Sequence, residues 1–209
     1  DGVVEIHGTE CRVATGRAAH TFPASIEGVV TARIDRLSAG AQLTAKVASV
    51  VGRTFAERAI KQVYPAEGAQ LGLDAWLAQL GRHHLIVPEA HPSEPTWAFR
   101  HGITQEVAYG LLLFSQRREL HRRVAEWYRE VRAGDEAWPV LAHHYERAGE
   151  VELALLSLER AGAAALRSAA NVEAIQFVER ARLLAIQESA TVPQERGAHW
   201  ATMLGGAHL

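Results

Sequence analysis

Leu85-Ile86-Val87-Pro88-Glu89-Ala90-His91-Pro92-Ser93-Glu94-Pro95-Thr96-Trp97-Ala98-Phe99 is where the chain changes period. On either side, apolar residues recur about every three or four positions, the spacing of one helix face. Here they form two short β-like runs, residues 85–88 and 96–99, around a loop of turn formers at 91–95. Trp97 and Phe99, two positions apart, share one face of the second run.

Upstream the pattern is helical. Pro23 introduces a helix, and the hydroxyl of Ser25 can accept from the free amides of its first turn. Ile26, Val29, Val30, Ile34 and Leu37 follow at helical spacing, with Arg33, Asp35 and Arg36 between them. Ser38 opens the next helix, in which Leu43, Val47, Val50 and Val51 share a face and Gly52 is the stop. Thr54 and Glu57 match a capping box for a third helix, which carries Phe55, Ala59, Ile60 and Val63 and ends at Pro65. Asp74 is placed to cap a fourth, through Trp76, Leu77 and Leu80. Helices followed by a two-stranded hairpin describe a winged helix (three helices plus β-hairpin) over residues 23–114, although such strings also arise in unrelated α+β domains. Residues 1–22 read as a separate short hairpin: Val3, Val4 and Ile6 are β-prone, Gly8-Thr9 is a turn signal, and Cys11 to Val13 return.

Downstream, from Ile103, everything is helix. Ile103, Val107, Leu111 and Phe114 mark one. Leu120, Val124, Trp127, Tyr128 and Val131 form the apolar stripe of the next, with Arg118, Arg122 and Arg129 opposite. Trp138, Leu141, Ala142, Tyr145, Ala154, Leu158 and Ala161 then sit at relative offsets 0, 3, 4, 7, 16, 20 and 23, the spacings of a tetratricopeptide helix pair. Ala142 and Ala154 allow close approach, and Gly149 turns the chain. Residues 172–181 echo 152–161 at a shift of about 20 positions rather than the about 34 of a strict array, so the repeat is irregular. Gln194 to Leu209 read as the first helix of a further repeat with no partner, its apolar face exposed. The expected fold is therefore mainly α: a winged-helix domain, then an α-helical tetratricopeptide-like array at 115–209.

Composition removes several function classes. The 22 basic and 24 acidic residues give a formal net charge of -2, without the basic excess of a dedicated nucleic-acid binder. The single cysteine, Cys11, excludes a disulfide framework and fits a reducing, cytoplasmic setting. No apolar run is long enough to span a bilayer, and no signal peptide is visible. The two lysines, Lys46 and Lys61, follow no glycine, so there is no P-loop. Gly-x-Gly-x-x-Gly, His-Glu-x-x-His and Gly-x-Ser-x-Gly are absent, and the four aspartates, Asp1, Asp35, Asp74 and Asp135, are far apart. No catalytic residue is expected.

Three stretches carry a family resemblance: Ser25-Ile26-Glu27-Gly28 through Ala32-Arg33-Ile34-Asp35-Arg36-Leu37; Phe99-Arg100-His101-Gly102-Ile103-Thr104-Gln105-Glu106-Val107-Ala108-Tyr109; and Arg117-Arg118-Glu119-Leu120-His121-Arg122-Arg123. Together they resemble the region that follows the nucleotide-binding core in bacterial signal-transducing ATPases of the STAND class. That kind is found in multidomain class III adenylate or guanylate cyclases and in LuxR-type regulators. The resemblance covers roughly residues 23–188. It implies that residues 1–22 end an upstream ATPase region, that ATP or ADP binds the parent rather than this segment, and that the upstream domain is a partner in cis. It also implies a role for His101, which matches the class's histidine at the end of the wing that contacts the β-phosphate of bound ADP. Gly102 replaces the usual Asp and Arg100 the usual Met. A histidine just before a helix N-terminus does sit among amides that attract phosphate; the plainer reading is that it caps or packs the hairpin.

Other candidates read more plainly. Arg82-His83-His84 ends the helix that would enter a DNA groove, but that helix has no earlier arginine. The six arginines between Gln116 and Arg132 could bind nucleic acid or an anionic surface, but interleaved Glu119, Glu126 and Glu130 blunt their field, as in a solvated face or one that docks on a neighbouring domain. Arg33, Asp35 and Arg36 could fix the first helix against the ATPase core. His143-His144 suggests a metal, but adjacent helical residues point about 100° apart and cannot share one ion without partners elsewhere. No metal is expected. The function expected is a regulatory, protein-interaction segment with no enzymatic activity. It would hold or release the upstream domain and bind a protein or small ligand on its repeats, with neither membrane nor nucleic acid as a partner. The alternative is a DNA-binding winged-helix regulator with a helical dimerisation region.

Overall fold

The computed structural model describes residues 4–7, 10–13, 25–65, 72–90, 94–131, 134–190 and 192–207. Among these the chain is mainly α, with ten helices and five short strands. The N-terminal hairpin pairs β1 (Val4–His7) with β2 (Glu10–Val13) antiparallel, Val4 opposite Val13 and His7 opposite Glu10. The expected turn at Gly8-Thr9 lies outside the described residues.

Helix α1 (Ile26–Asp35) is capped as its sequence dictates, the Gly28 amide donating to Ser25 Oγ at 3.1 Å. Its stripe is only half used. Val30, Ile34 and Leu37 are buried, but Ile26 and Val29 are 72% and 47% exposed. Helix α2 (Ala39–Val51) is capped by Ser38 and closed by Gly52, and it runs through the middle of the first core with Ala41, Val47 and Ala48 all at 0% exposure.

The expected capping box at Thr54 and Glu57 does not form. Thr54–Ala56 is a strand, β3, and the N-cap of α3 (Glu57–Val63) is Ala56 with no side-chain bond. The residues pair with β5 instead, Thr54 opposite Ala98 and Ala56 opposite Thr96, and Thr54 Oγ1 donates to Glu89 at 3.2 Å. Backbone pairing along an open strand edge satisfies more groups than one cap would. Likewise Asp74 is not the cap of α4 (Leu73–Arg82). Gly72 holds that position, and Asp74 sits in the first turn, where its charge suits the helix dipole.

Strands β4 (Ile86–Glu89) and β5 (Thr96–Phe99) form the expected hairpin, and the sheet order is β3-β5-β4. Its inner face meets the helices through Phe55, Ile86 and Phe99; the Phe55 and Phe99 rings lie 5.6 Å apart and tilted.

Helix α5 (Gly102–Gly110) stops before the end of the expected stripe. It buries Thr104 and Ala108, while Phe114 begins α6 (Phe114–Val131) and is 75% exposed. In α6, Leu120, Val124 and Trp127 are buried as their spacing predicts; Val131 is not. A single 3-10 turn (Asp135–Ala137) leads into α7 (Trp138–Ala148) and α8 (Val151–Arg167), followed by α9 (Asn171–Gln187) and α10 (Gln194–Ala207). Leu141, Ala142, Tyr145, Ala154, Leu158 and Ala161 are all buried between these helices.

The last helix is not unpartnered. It packs on α9 and α8, burying Trp200, Met203 and Ala207. Gly162 in α8 makes this possible: a Cβ there would lie 2.8 Å from Met203 Cε and 3.4 Å from Val178. Two ion pairs from Arg196, to Glu152 and Glu159 of α8, fix it further.

Helix α6 belongs to both halves. Leu120, Val124 and Trp127 enter the core built on α2, α3 and the sheet; Ala125 enters the core of α7–α10; Tyr128 packs against both.

Candidate functional site

Where α2, α5, α6 and α7 meet there is an open cleft of about 640 Å³. The end of α2 (Ser49 to Gly52) supplies one wall, Gln105, Glu106 and Tyr109 of α5 a second, and Pro139, Val140, His143 and Arg147 of α7 a third. Gln105 holds two of these walls together, its Nε2 donating to the Ser49 carbonyl at 3.0 Å.

The side chains of His121 (α6) and His143 and His144 (α7) converge there. One ligand nitrogen from each lies within 4.8 Å of the other two, and they are the one group of three metal-ligating side chains among the described residues. His121 Nδ1 faces His144 Nδ1 at 2.8 Å. That separation needs a proton on one of the two nitrogens, and each ring supplies one in its neutral form. On its far side His121 Nε2 meets Tyr109 Oη at 3.0 Å. His143 edges onto both, with ring centroids 5.8 Å from His121 and 5.1 Å from His144.

Burial governs the charge of this group. His121 and His144 are 2% and 3% exposed, and loss of hydration pushes both imidazoles down to about 3 from an ordinary 6.5; the neighbouring rings, and Arg147 beside His121, add to it. His143 is exposed at its edge but is lowered too, first by desolvation and then by Arg147 and Arg180. At neutral pH all three present lone pairs rather than charges.

Neighbours on a helix diverge, so His143 and His144 can share one ion only with a partner from elsewhere. The partner is His121, 23 residues before His144. It belongs to no metal-ligand spacing motif and reads as one more residue on the arginine-rich helix; only the packing of α6 on α7 brings the three together.

The other candidates fall in different places. His101 stands at the N-terminus of α5 in extended conformation, exposed, with no side-chain cap bond, and outside the cleft lining. A Cβ at the neighbouring Gly102 would meet nothing within 4 Å. Arg33 donates to the carbonyl of His83, tying α1 to the turn after α4. Asp35 and Arg36 remain exposed. The arginine face of α6 is used within the chain: Arg117 donates to the Gly110 and Leu112 carbonyls at the end of α5, Arg118 to the Ala148 carbonyl at the end of α7, and Arg123 to the Tyr64 carbonyl. Arg122 and Arg123 pair with Glu119, and Arg122 also with Glu126.

The chain is 30% identical over 162 residues to the uncharacterized protein R02095 of Rhizobium meliloti (strain 1021), a match that takes in 75% of this chain and 15% of that protein. The chain thus corresponds to a small part of that relative's length. No protein family matches it, and no solved structure does. No helix among the described residues is long and apolar enough to cross a membrane.

Proposed function

We propose that this chain is a regulatory and protein-interaction segment of a larger signalling ATPase, without catalysis of its own. In this reading α2-β3-α3-α4-β4-β5 is a winged helix whose β4–β5 hairpin is the wing, and α7–α10 are two tetratricopeptide-like helix pairs. Support for the first is the sheet order β3-β5-β4 behind three helices. Support for the second is close helix approach at Ala142, Ala154 and Gly162, with α10 closing the second pair. The winged unit holds or releases an upstream nucleotide-binding domain, with His101 toward the phosphates. The repeats receive a protein or small ligand near Val172, Leu183 and Ile186, which α9 leaves 65%, 56% and 73% exposed.

One observation carries this reading: α6 is built into both cores. A ligand that shifts α7–α10 must move a helix on which the winged unit also depends, and a shared element biased by both sites is what a population shift requires.

In the nucleotide-loaded parent protein, His101→Ala should release ADP faster, whereas unchanged retention would remove His101 from the switch. Against the DNA-binding alternative stands α4, whose exposed positions, Asp74, Ala75, Ala78 and Arg82, carry one acid and one base. Binding to duplex DNA that weakened steeply between about 50 and about 200 mM salt would favour that alternative.

A further inference from the structure

We infer that His121, His143 and His144 form a binding site for a divalent transition-metal ion of the zinc class, joining α6 to α7 and leaving one coordination position toward the cleft. The inference stands on the geometry of the three rings and does not depend on the regulatory reading.

A group of three imidazoles with no carboxylate among its members suits zinc, copper, nickel or cobalt rather than magnesium or calcium, which prefer oxygen. The spacing is close to what is needed. Zinc–nitrogen bonds are about 2.0–2.1 Å, so tetrahedral ligand nitrogens sit roughly 3.3 Å apart. The Nδ1 atoms of His121 and His144 are 2.8 Å apart and the whole set lies within 4.8 Å. Small ring rotations therefore open one pair and close the others.

The second shell is already present. Tyr109 Oη contacts His121 Nε2 at 3.0 Å, on the side of the ring away from His144. Histidine ligands commonly engage their other nitrogen in this way, which fixes the tautomer that presents the ligating lone pair. Tyr109 is itself held, with the Arg117 guanidinium 4.7 Å from its ring centroid. Tyr128 stacks on His144 at 6.2 Å.

The proton account balances without an outside acid or base. In the metal-free protein one proton lies between the two Nδ1 atoms. On binding, the ring that carries it moves it to its own Nε2, and for His121 that Nε2–H donates to Tyr109 Oη. Both Nδ1 lone pairs then face the ion and no net proton is released. Arg147 lines the cleft and Arg180 lies near His143; both oppose a cation, but both are exposed and screened by water, Arg180 is paired with Glu146, and Glu106, which also lines the cleft, favours a cation. With three protein ligands, water from the cleft takes the fourth position, the open form of a zinc site.

The test uses the full 209-residue chain without an affinity tag, stripped with a chelator and then titrated calorimetrically with zinc sulfate. One ion per chain with Kd of about 1 μM or tighter is expected. Cobalt(II) in its place should give the visible absorption of a four-coordinate nitrogen site. His143→Ala alters an exposed residue, so the fold should persist by circular dichroism while affinity falls at least about ten-fold. Tyr109→Phe should weaken binding by roughly 10–100-fold, as loss of an outer-shell partner does. Paired His83→Ala and His84→Ala changes, at the end of α4, should leave binding unaltered. Absence of zinc binding by the wild-type chain would overturn the site. So would full affinity in His143→Ala, or loss of affinity in the His83/His84 double variant.

Discussion

Arg118 lies directly over Gly149. Its Nε donates to the Ala148 carbonyl at 2.8 Å, and a Cβ on Gly149 would come within 2.5 Å of its guanidinium. Gly149 ends α7 with φ of 75°, in the left-handed region. The turn between α7 and α8 is thus closed from outside by a residue of α6, which caps the Ala148 carbonyl at the end of the helix.

Gly149→Ala should therefore be destabilising twice over. The left-handed backbone costs an L-residue about 1–2 kcal/mol, and the arginine must move. In an Arg118→Ala background only the backbone cost remains. Urea denaturation of the wild type, both single variants and the double variant should show a smaller effect of Gly149→Ala when Arg118 is already gone. By contrast Gly102→Ala, with open space around it, should be neutral or gain up to about 1 kcal/mol.

Trp200→Ala tests the seating of α10. The indole is 5% exposed and its Nε1 donates to Glu159 at 2.8 Å. Losing it should cost about 3–5 kcal/mol. Hydrogen exchange should speed up first in residues 194–207, while the sheet and α2 stay protected.

The metal-free protein should lose stability in mild acid. His121 and His144 are held neutral in the fold, pushed down to about 3, and regain an ordinary imidazole pKa near 6.5 on unfolding. The unfolded chain then binds more protons, so their contribution is complete above about pH 6.5 and declines as pH falls toward 3. His143 and Arg147 face them and deepen the effect, while Tyr109 hydrogen-bonds to His121 in either tautomer. Chemical denaturation at a series of pH values, with chelator present, should show a slope of up to about 1.4 kcal/mol per pH unit per histidine. His144→Asn should flatten it.

The ion pairs of α6 should matter much less. Arg122 bonds Glu119 and Glu126 at 2.9 and 2.6 Å, but all three side chains are about 40% exposed. Arg122→Ala should cost about 0.2–1 kcal/mol, and less in high salt. The bond from Arg123, then those from Arg122, keep the Glu119 carboxyl below its usual range, so what the network contributes fades only in acid.

What the sequence could reveal followed the reach of each signal. Ser25 and Ser38 cap their helices because an N-cap bond spans three residues and depends on nothing distant. The β4–β5 hairpin and the α7–α8 pair were legible for the same reason, with turn chemistry and apolar period lying side by side. Thr54 misled because the same residues suit a cap or a strand, and the choice rests with Ala98, far along the chain. Ile26 and Val29 kept the right period on a face that nothing covers among the described residues. Trp200 gave no hint that Glu159, 41 residues earlier, would receive its indole. The histidine cluster lay beyond reach altogether, since His121 is one isolated residue until α7 arrives.

The shared helix also bears on how the molecule melts. Stripped of α6, the first core would lose Leu120, Val124 and Trp127, and the second would lose Ala125 and part of its cover from Tyr128. Neither half is complete on its own side of that helix, so a calorimeter should record one heat-absorption peak where two independent units would give two.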